Sequence, residues 1–255
     1  MLRLIPRLDI KGKYLIKGIH LEGLRKIGNP KDFAKLYYQQ GADELIYMDA
    51  VASLYGRNSL TDIIKETVKS VFIPITVGGG IRTVEDAKNI LRSGADKIAI
   101  NTAATQHPEL INKMAHKFGS QSIVISIEAQ KKSNSSWEVY TDNGREKTGI
   151  DVKSWAIEAA ERGAGEILLT SIDQEGTRQG FDLNLLNDIK KVVSIPIIIS
   201  GGMAGTSDAS KAFKTGASAV AMADILHYKR SSLEDIRQEL LADKVSVRHF
   251  WGDQV

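Results

Sequence analysis

Asp9, in Arg7-Leu8-Asp9-Ile10-Lys11, and Glu128, in Ser126-Ile127-Glu128-Ala129-Gln130, each stand at the end of a short apolar run. Two carboxyls on opposite sides of a bound molecule suit general acid–base chemistry, one giving a proton while the other removes one. Glycines accompany them, because Val77-Gly78-Gly79-Gly80 and Ser200-Gly201-Gly202 also end apolar runs. A glycine just past a strand lets the backbone approach a ligand and aim its N–H groups at an anion. The next runs end in Asn101-Thr102 and Ala223-Asp224, each opening a short helical segment whose free N–H groups favour phosphate. The two cradles differ. Thr102 offers a hydroxyl to a phosphate, whereas Asp224 places a carboxylate where the anion would sit and, as a helix cap, would satisfy the N–H groups itself. One phosphate is therefore expected at Gly80–Thr102 and none at Asp224. Lys17 falls on the loop after the first run, within reach of an anion, although a lone lysine also reads as an ordinary solvated residue.

The elements that must position these residues repeat. Gly41-Ala42-Asp43-Glu44-Leu45 recurs as Gly163-Ala164-Gly165-Glu166-Ile167, an offset of 122. Ile73-Pro74, Gly79-Gly80 and Gly94-Ala95 recur in the same register as Ile195-Pro196, Gly201-Gly202 and Gly216-Ala217. Within each copy short apolar runs alternate with helical segments such as 83–93 and 206–215. Near-continuous apolar runs are the mark of parallel strands buried on both faces. With residues 2–8 the runs number eight, which predicts a closed (β/α)8 barrel, its active site at the C-terminal mouth. The expected organisation is one barrel over 1–248, with halves of about 1–121 and 122–248, and a tail over 249–255. Residues 137–141 and 145–148 flank Asp142-Asn143-Gly144, a hairpin signal, so a small β-hairpin is expected after strand five.

The 255 residues suit one such barrel, and 42% hydrophobic residues supply its core. Lys plus Arg number 34 against 31 Asp plus Glu, without a basic stripe, so neither nucleic acid nor membrane is an expected partner. Cysteine is absent, which removes thiol chemistry. His20, His107, His116, His227 and His249 lack ligand spacing; no metal and no cofactor are expected. The first residues lack the features of a signal peptide, and the expected location is cytoplasmic.

The chain resembles the cyclase (HisF-type) subunit of imidazole glycerol phosphate synthase, from Met1 to about Arg248. The most specific stretches are Ile73-Pro74-Ile75-Thr76-Val77-Gly78-Gly79-Gly80-Ile81-Arg82, Gly94-Ala95-Asp96-Lys97, Phe118-Gly119-Ser120-Gln121 and Gly163-Ala164-Gly165-Glu166-Ile167-Leu168-Leu169-Thr170-Ser171-Ile172-Asp173. The resemblance implies that ammonia, released by a separate glutaminase (HisH-type) subunit, enters the bottom of the barrel and reacts at the top. It assigns Arg3, Glu44, Lys97 and Glu166 to a charged gate at the N-terminal face, where the glutaminase docks. Read from the residues alone, two acids and two bases there are equally a stability network. It places catalysis on Asp9 and Glu128. Contacts to a phosphorylated small-molecule substrate fall on Lys17, Gly79, Gly80, Asn101, Thr102, Thr170, Glu175, Gly176, Ser200, Gly201, Gly202 and Asp224.

Four positions depart from the family pattern. Glu128 and Glu175 stand for aspartates, Asp224 for a small phosphate-binding residue, and Arg7 for a small residue. Strand alternation points Arg7 into the barrel beneath Asp9, where its charge favours the carboxylate form. Because the changes cluster in the second half of the site, the expected function is a divergent paralogue that keeps ammonia handling but serves amidino-sugar synthesis for bacterial surface polysaccharide. The stretches Arg7–Gly12 and Val51-Ala52-Ser53-Leu54-Tyr55-Gly56-Arg57 resemble that branch. Two alternatives stand beside it: the histidine-pathway cyclase itself, and a non-catalytic activator of the glutaminase.

Overall fold

The computed structural model describes residues 1–52, 60–133 and 135–249. Much of the stretch Val51–Arg57, and Phe250 and Trp251 of the tail, lie outside the described residues. Eight parallel strands close into a barrel: β1 (Arg3–Lys11), β4 (Leu45–Asp49), β5 (Ile75–Gly78), β6 (Lys97–Ile100), β7 (Ile123–Ser133), β10 (Glu166–Ser171), β11 (Ile197–Ser200) and β12 (Ala219–Met222). Closure comes from β12 pairing with β1, Arg3 opposite Ala219, and from β7 pairing with β10, Glu166 opposite Val124. These strands are buried almost throughout, as their apolar runs require.

Alternation sorts each strand's side chains between two cores. Ile5, Ile46, Ala99, Val124, Leu168, Ile198, Ala219 and Ala221 point inward and form an apolar bore, with Met48 packed against it. The other set, including Leu4, Leu8, Tyr47, Ile125 and Leu169, meets the surrounding helices in the larger cluster. Several helices are capped by their own sequence. Thr83 and Asp86 form a reciprocal capping box at α3 (Val84–Arg92), and Ser232 and Asp235 another at α10 (Leu233–Ala242).

Two antiparallel hairpins extend the barrel at its mouth. The expected one, β8 (Ser136–Thr141) with β9 (Glu146–Asp151), folds back on β7 through a turn with Asp142, Asn143 and Gly144 at positive φ. A second, β2 (Tyr14–Ile19) with β3 (Glu22–Gly28), folds back on β1. It corrects the expectation of a loop there: Lys17 lies on β2. Its tip is His20-Leu21, both at positive φ without glycine or asparagine, so the usual hairpin signal is missing from the sequence. Among the described residues no helix is long and apolar enough to cross a membrane.

Candidate active site

Each carboxyl sits where its barrel strand begins to pair with its hairpin: Asp9 opposite Ile16, Glu128 opposite Tyr140. Both are buried, yet their surroundings are opposite. Asp9 accepts a hydrogen bond from Arg7 Nε at 2.9 Å. Burial alone would push its carboxyl up, but Arg7 and then Lys17 outweigh that and hold it below the ordinary carboxylate range. Glu128 accepts one from the Gly144 N–H at the hairpin tip, 2.8 Å. Burial pushes its carboxyl up to about 7 against the pull of Arg7 and Gly144, while Asp9 and Asp142 add to the rise.

The two cradles differ in room. Beside Glu128 lies a cavity of ≈ 330 Å³ lined by Asp49, Gly79, Gly80, Asn101, Thr102 and Asn143. Gly79 has φ 95°, and a Cβ there would strike the backbone of Asp49, so this close approach admits glycine only. Asn101 Nδ2 donates to the Tyr140 carbonyl, and the Asp142 N–H donates to Thr102 Oγ1, so the hairpin is docked onto this cradle. The second cavity, between Gly201, Gly202, Lys17 and Asp224, measures only ≈ 20 Å³. A Cβ on Gly202 would run into the Gly180 carbonyl.

Asp224 corrects the expectation of a helix cap. It is the first residue of α9 (Asp224–His227), which has no side-chain cap. Its carboxylate pairs instead with Arg230 at 3.0 Å and lies 4.0 Å from Arg178. Local cations outcompete the helix amides for it, since charged pairs are the stronger bonds. Lys17 and Glu175 form a buried ion pair with each other, and Gly176 packs against Gly18 of the first hairpin. Thr170 and Ser200 accept hydrogen bonds from Arg7 Nη1, at 2.9 and 3.3 Å.

At the opposite end of the bore Arg3, Glu44, Lys97 and Glu166 alternate in sign around a ring. Arg3 bonds Glu44 at 2.5 Å and also Glu166, and Lys97 bonds Glu44 at 3.0 Å and Glu166 at 2.9 Å. The ring spans the N-terminal end of the bore, and each of its two acids is paired with both of its bases. Asn143, Gly144, Arg178, Arg230 and His227 are not assigned to the site from sequence, although Asn143 and Gly144 read as a turn and His227 as an ordinary histidine. The first two follow from docking of the hairpin tip, which the turn signal alone does not orient. His227 sits behind Asp9, its Nδ1 2.7 Å from the Tyr37 hydroxyl, and burial pushes it down to about 4.

The family model described as "Histidine biosynthesis protein" matches residues 3–232. Imidazole glycerol phosphate synthase subunit HisF of Legionella pneumophila is 67% identical over 201 residues, covering 79% of this chain and 95% of that protein. The same-named subunit of Prochlorococcus marinus (strain AS9601) is 48% identical over 252 residues, covering 98% of each. The chain belongs to the HisF family. The subunit of Bacillus cereus (strain Q1) is 45% identical over 247 residues, 96% of this chain and 98% of that protein. These HisF relatives all carry the name of the synthase subunit, and none of the three names a sugar pathway. They therefore favour the histidine-pathway alternative over the expected paralogue.

Proposed function

We propose that this chain is the ammonia-using cyclase subunit of an imidazole glycerol phosphate synthase, working in the cytoplasm with a HisH-type glutaminase docked on the N-terminal face. The observation that carries the reading is the bore. Its lower part is lined by Ile5, Ile46, Ala99, Val124, Leu168, Ile198 and Ala219 above the Arg3–Glu44–Lys97–Glu166 ring, and its upper end, where Arg7 is held by Asp9, Thr170 and Ser200, leads to two carboxyls and a glycine-lined cavity. Neutral ammonia crosses an apolar passage at little cost, whereas ammonium would have to shed its hydration shell. Docking that displaces one member of the ring opens the entrance. At the mouth the first cradle holds a substrate phosphate through the backbone of Gly79–Gly80 and the start of α4 (Thr102–Gln106), beside Glu128.

A second reading rests on Asp224. Its carboxylate, with Arg230 and Arg178 already committed to it, and the ≈ 20 Å³ left in that cradle disfavour a second phosphate. On this reading the chain serves the sugar-amidination branch, passes ammonia to another enzyme, and takes a ligand with one phosphate.

An assay with ammonium salt at alkaline pH separates them without a glutaminase. Conversion of the two-phosphate histidine precursor at a synthase-like rate supports the cyclase and removes the second reading. No conversion, with glutamine hydrolysis still stimulated by the chain, favours the second. A glutaminase equally active without the barrel removes the partner from both.

A further inference from the structure

The proposed function gives work to Asp9 and Glu128 but none to Arg7. This arginine is only 3% exposed, and alternation along β1 sends it into the bore between Ile5 and Asp9. It donates to Asp9, Thr170 and Ser200, so three strands hold the guanidinium directly under the mouth. Burying a guanidinium costs several kcal/mol on the order expected for any desolvated ion, so a companion anion must stay ionised to offset it. Asp9 is the acid in direct contact. Glu128, by contrast, has no Lys or Arg nitrogen within 4.0 Å among the described residues. Among the described residues its carboxyl accepts a single hydrogen bond, from the amide of Gly144.

We propose that Arg7 is a positioning residue that keeps Asp9 permanently ionised, so that Glu128 alone carries the proton exchanged at the mouth. The proposal rests on the reading of these two carboxyls as the acid–base pair. Asp9 can then only accept hydrogen bonds and balance positive charge. A proton can be given up and taken back at Glu128, whose buried carboxyl at the edge of the first cavity suits an acid working near neutrality. The groups facing Asp9 are Arg7 on its own strand, Lys17 on β2 and His227 on α9. Those facing Glu128 are Arg7 and Asp9 on β1 and Asp142 at the hairpin tip. Arg7 also feels Glu175, itself held by Lys17. Their balance favours charge at Asp9 and opposes it at Glu128.

The test is a carboxyl ¹³C NMR titration of the intact chain, which needs no substrate. In the wild type Glu128 should titrate near neutrality while Asp9 stays ionised to below the ordinary carboxylate range. Arg7→Met, which keeps length but removes charge, should raise the Asp9 midpoint by about one unit or more, and Arg7→Lys should restore most of it. An Asp9 midpoint in the wild type above that of Glu128, or an Asp9 curve unmoved in Arg7→Met, overturns the proposal. Should Arg7→Met fail to fold, the wild-type curves and Arg7→Lys still decide. Full ammonium-dependent turnover by Glu128→Gln, with the titration as expected, overturns the proton-carrying role through the reading beneath it and leaves the Arg7–Asp9 lock standing.

Discussion

Glu128 and Asp9 are both carboxyls on barrel strands, and the difference between them lies in what lies next to each. With Glu128 raised from 4.5 to about 7, the folded chain holds its proton more tightly than the unfolded chain. The stability this group contributes is therefore full below about pH 4.5 and lost as pH rises through about 7, on the order of 3 kcal/mol. Glu128→Gln, which keeps the acceptor for Gly144, should gain stability relative to the wild type by up to that amount between these limits. Urea unfolding at the two pH values checks it, and a constant difference would count against a proton held at Glu128. Asp224→Ser should free Arg178 and Arg230 and raise affinity for a two-phosphate ligand more than for a one-phosphate one, measured by calorimetry. Arg7 was legible from sequence because alternation fixes its direction. The Lys17–Glu175 pair was not, since it joins residues 158 apart whose meeting depends on how the first hairpin folds over the mouth.

At the scale of elements, what the sequence revealed followed its chemical signals. The barrel strands announce themselves because burial on both faces demands unbroken apolar runs. The hairpin after β7 is visible through Asp142-Asn143-Gly144, whereas its counterpart after β1 turns on His20-Leu21 and is silent. That tip is held by contacts made elsewhere: the His20 N–H donates to the Glu175 carbonyl, and Leu21 packs with Tyr140 and Ile172. Helix ends give two measurable consequences. Thr83→Ala removes one half of the α3 capping box and should cost about 1 kcal/mol in denaturant unfolding. Lys244, exposed and at φ 58° just past α10, occupies a position that favours glycine. Lys244→Gly should leave the mouth untouched and stabilise the chain by up to about 1 kcal/mol, raising the melting temperature.

For the whole molecule, the proposed function makes the ring and the mouth the two ends of one ammonia route, so a change at the bottom should appear in coupling rather than in chemistry. Arg3→Ala leaves Glu44 and Glu166 sharing Lys97. The ammonium-dependent rate should stay near that of the wild type, while less product forms per glutamine hydrolysed by the docked glutaminase. Unchanged stoichiometry would mean that the ring is a stability network alone.

Closure has a further consequence for how the chain behaves in a crowd. A sheet rolled into a barrel offers no bare rim, and among the described residues the unpaired strand edges fall on the outermost hairpin strands, β3 and β9. Both are short, largely exposed and charged, with Glu22, Arg25 and Lys26 on one and Glu146, Lys147 and Asp151 on the other. Such edges discourage a second chain from adding a strand and seeding aggregates.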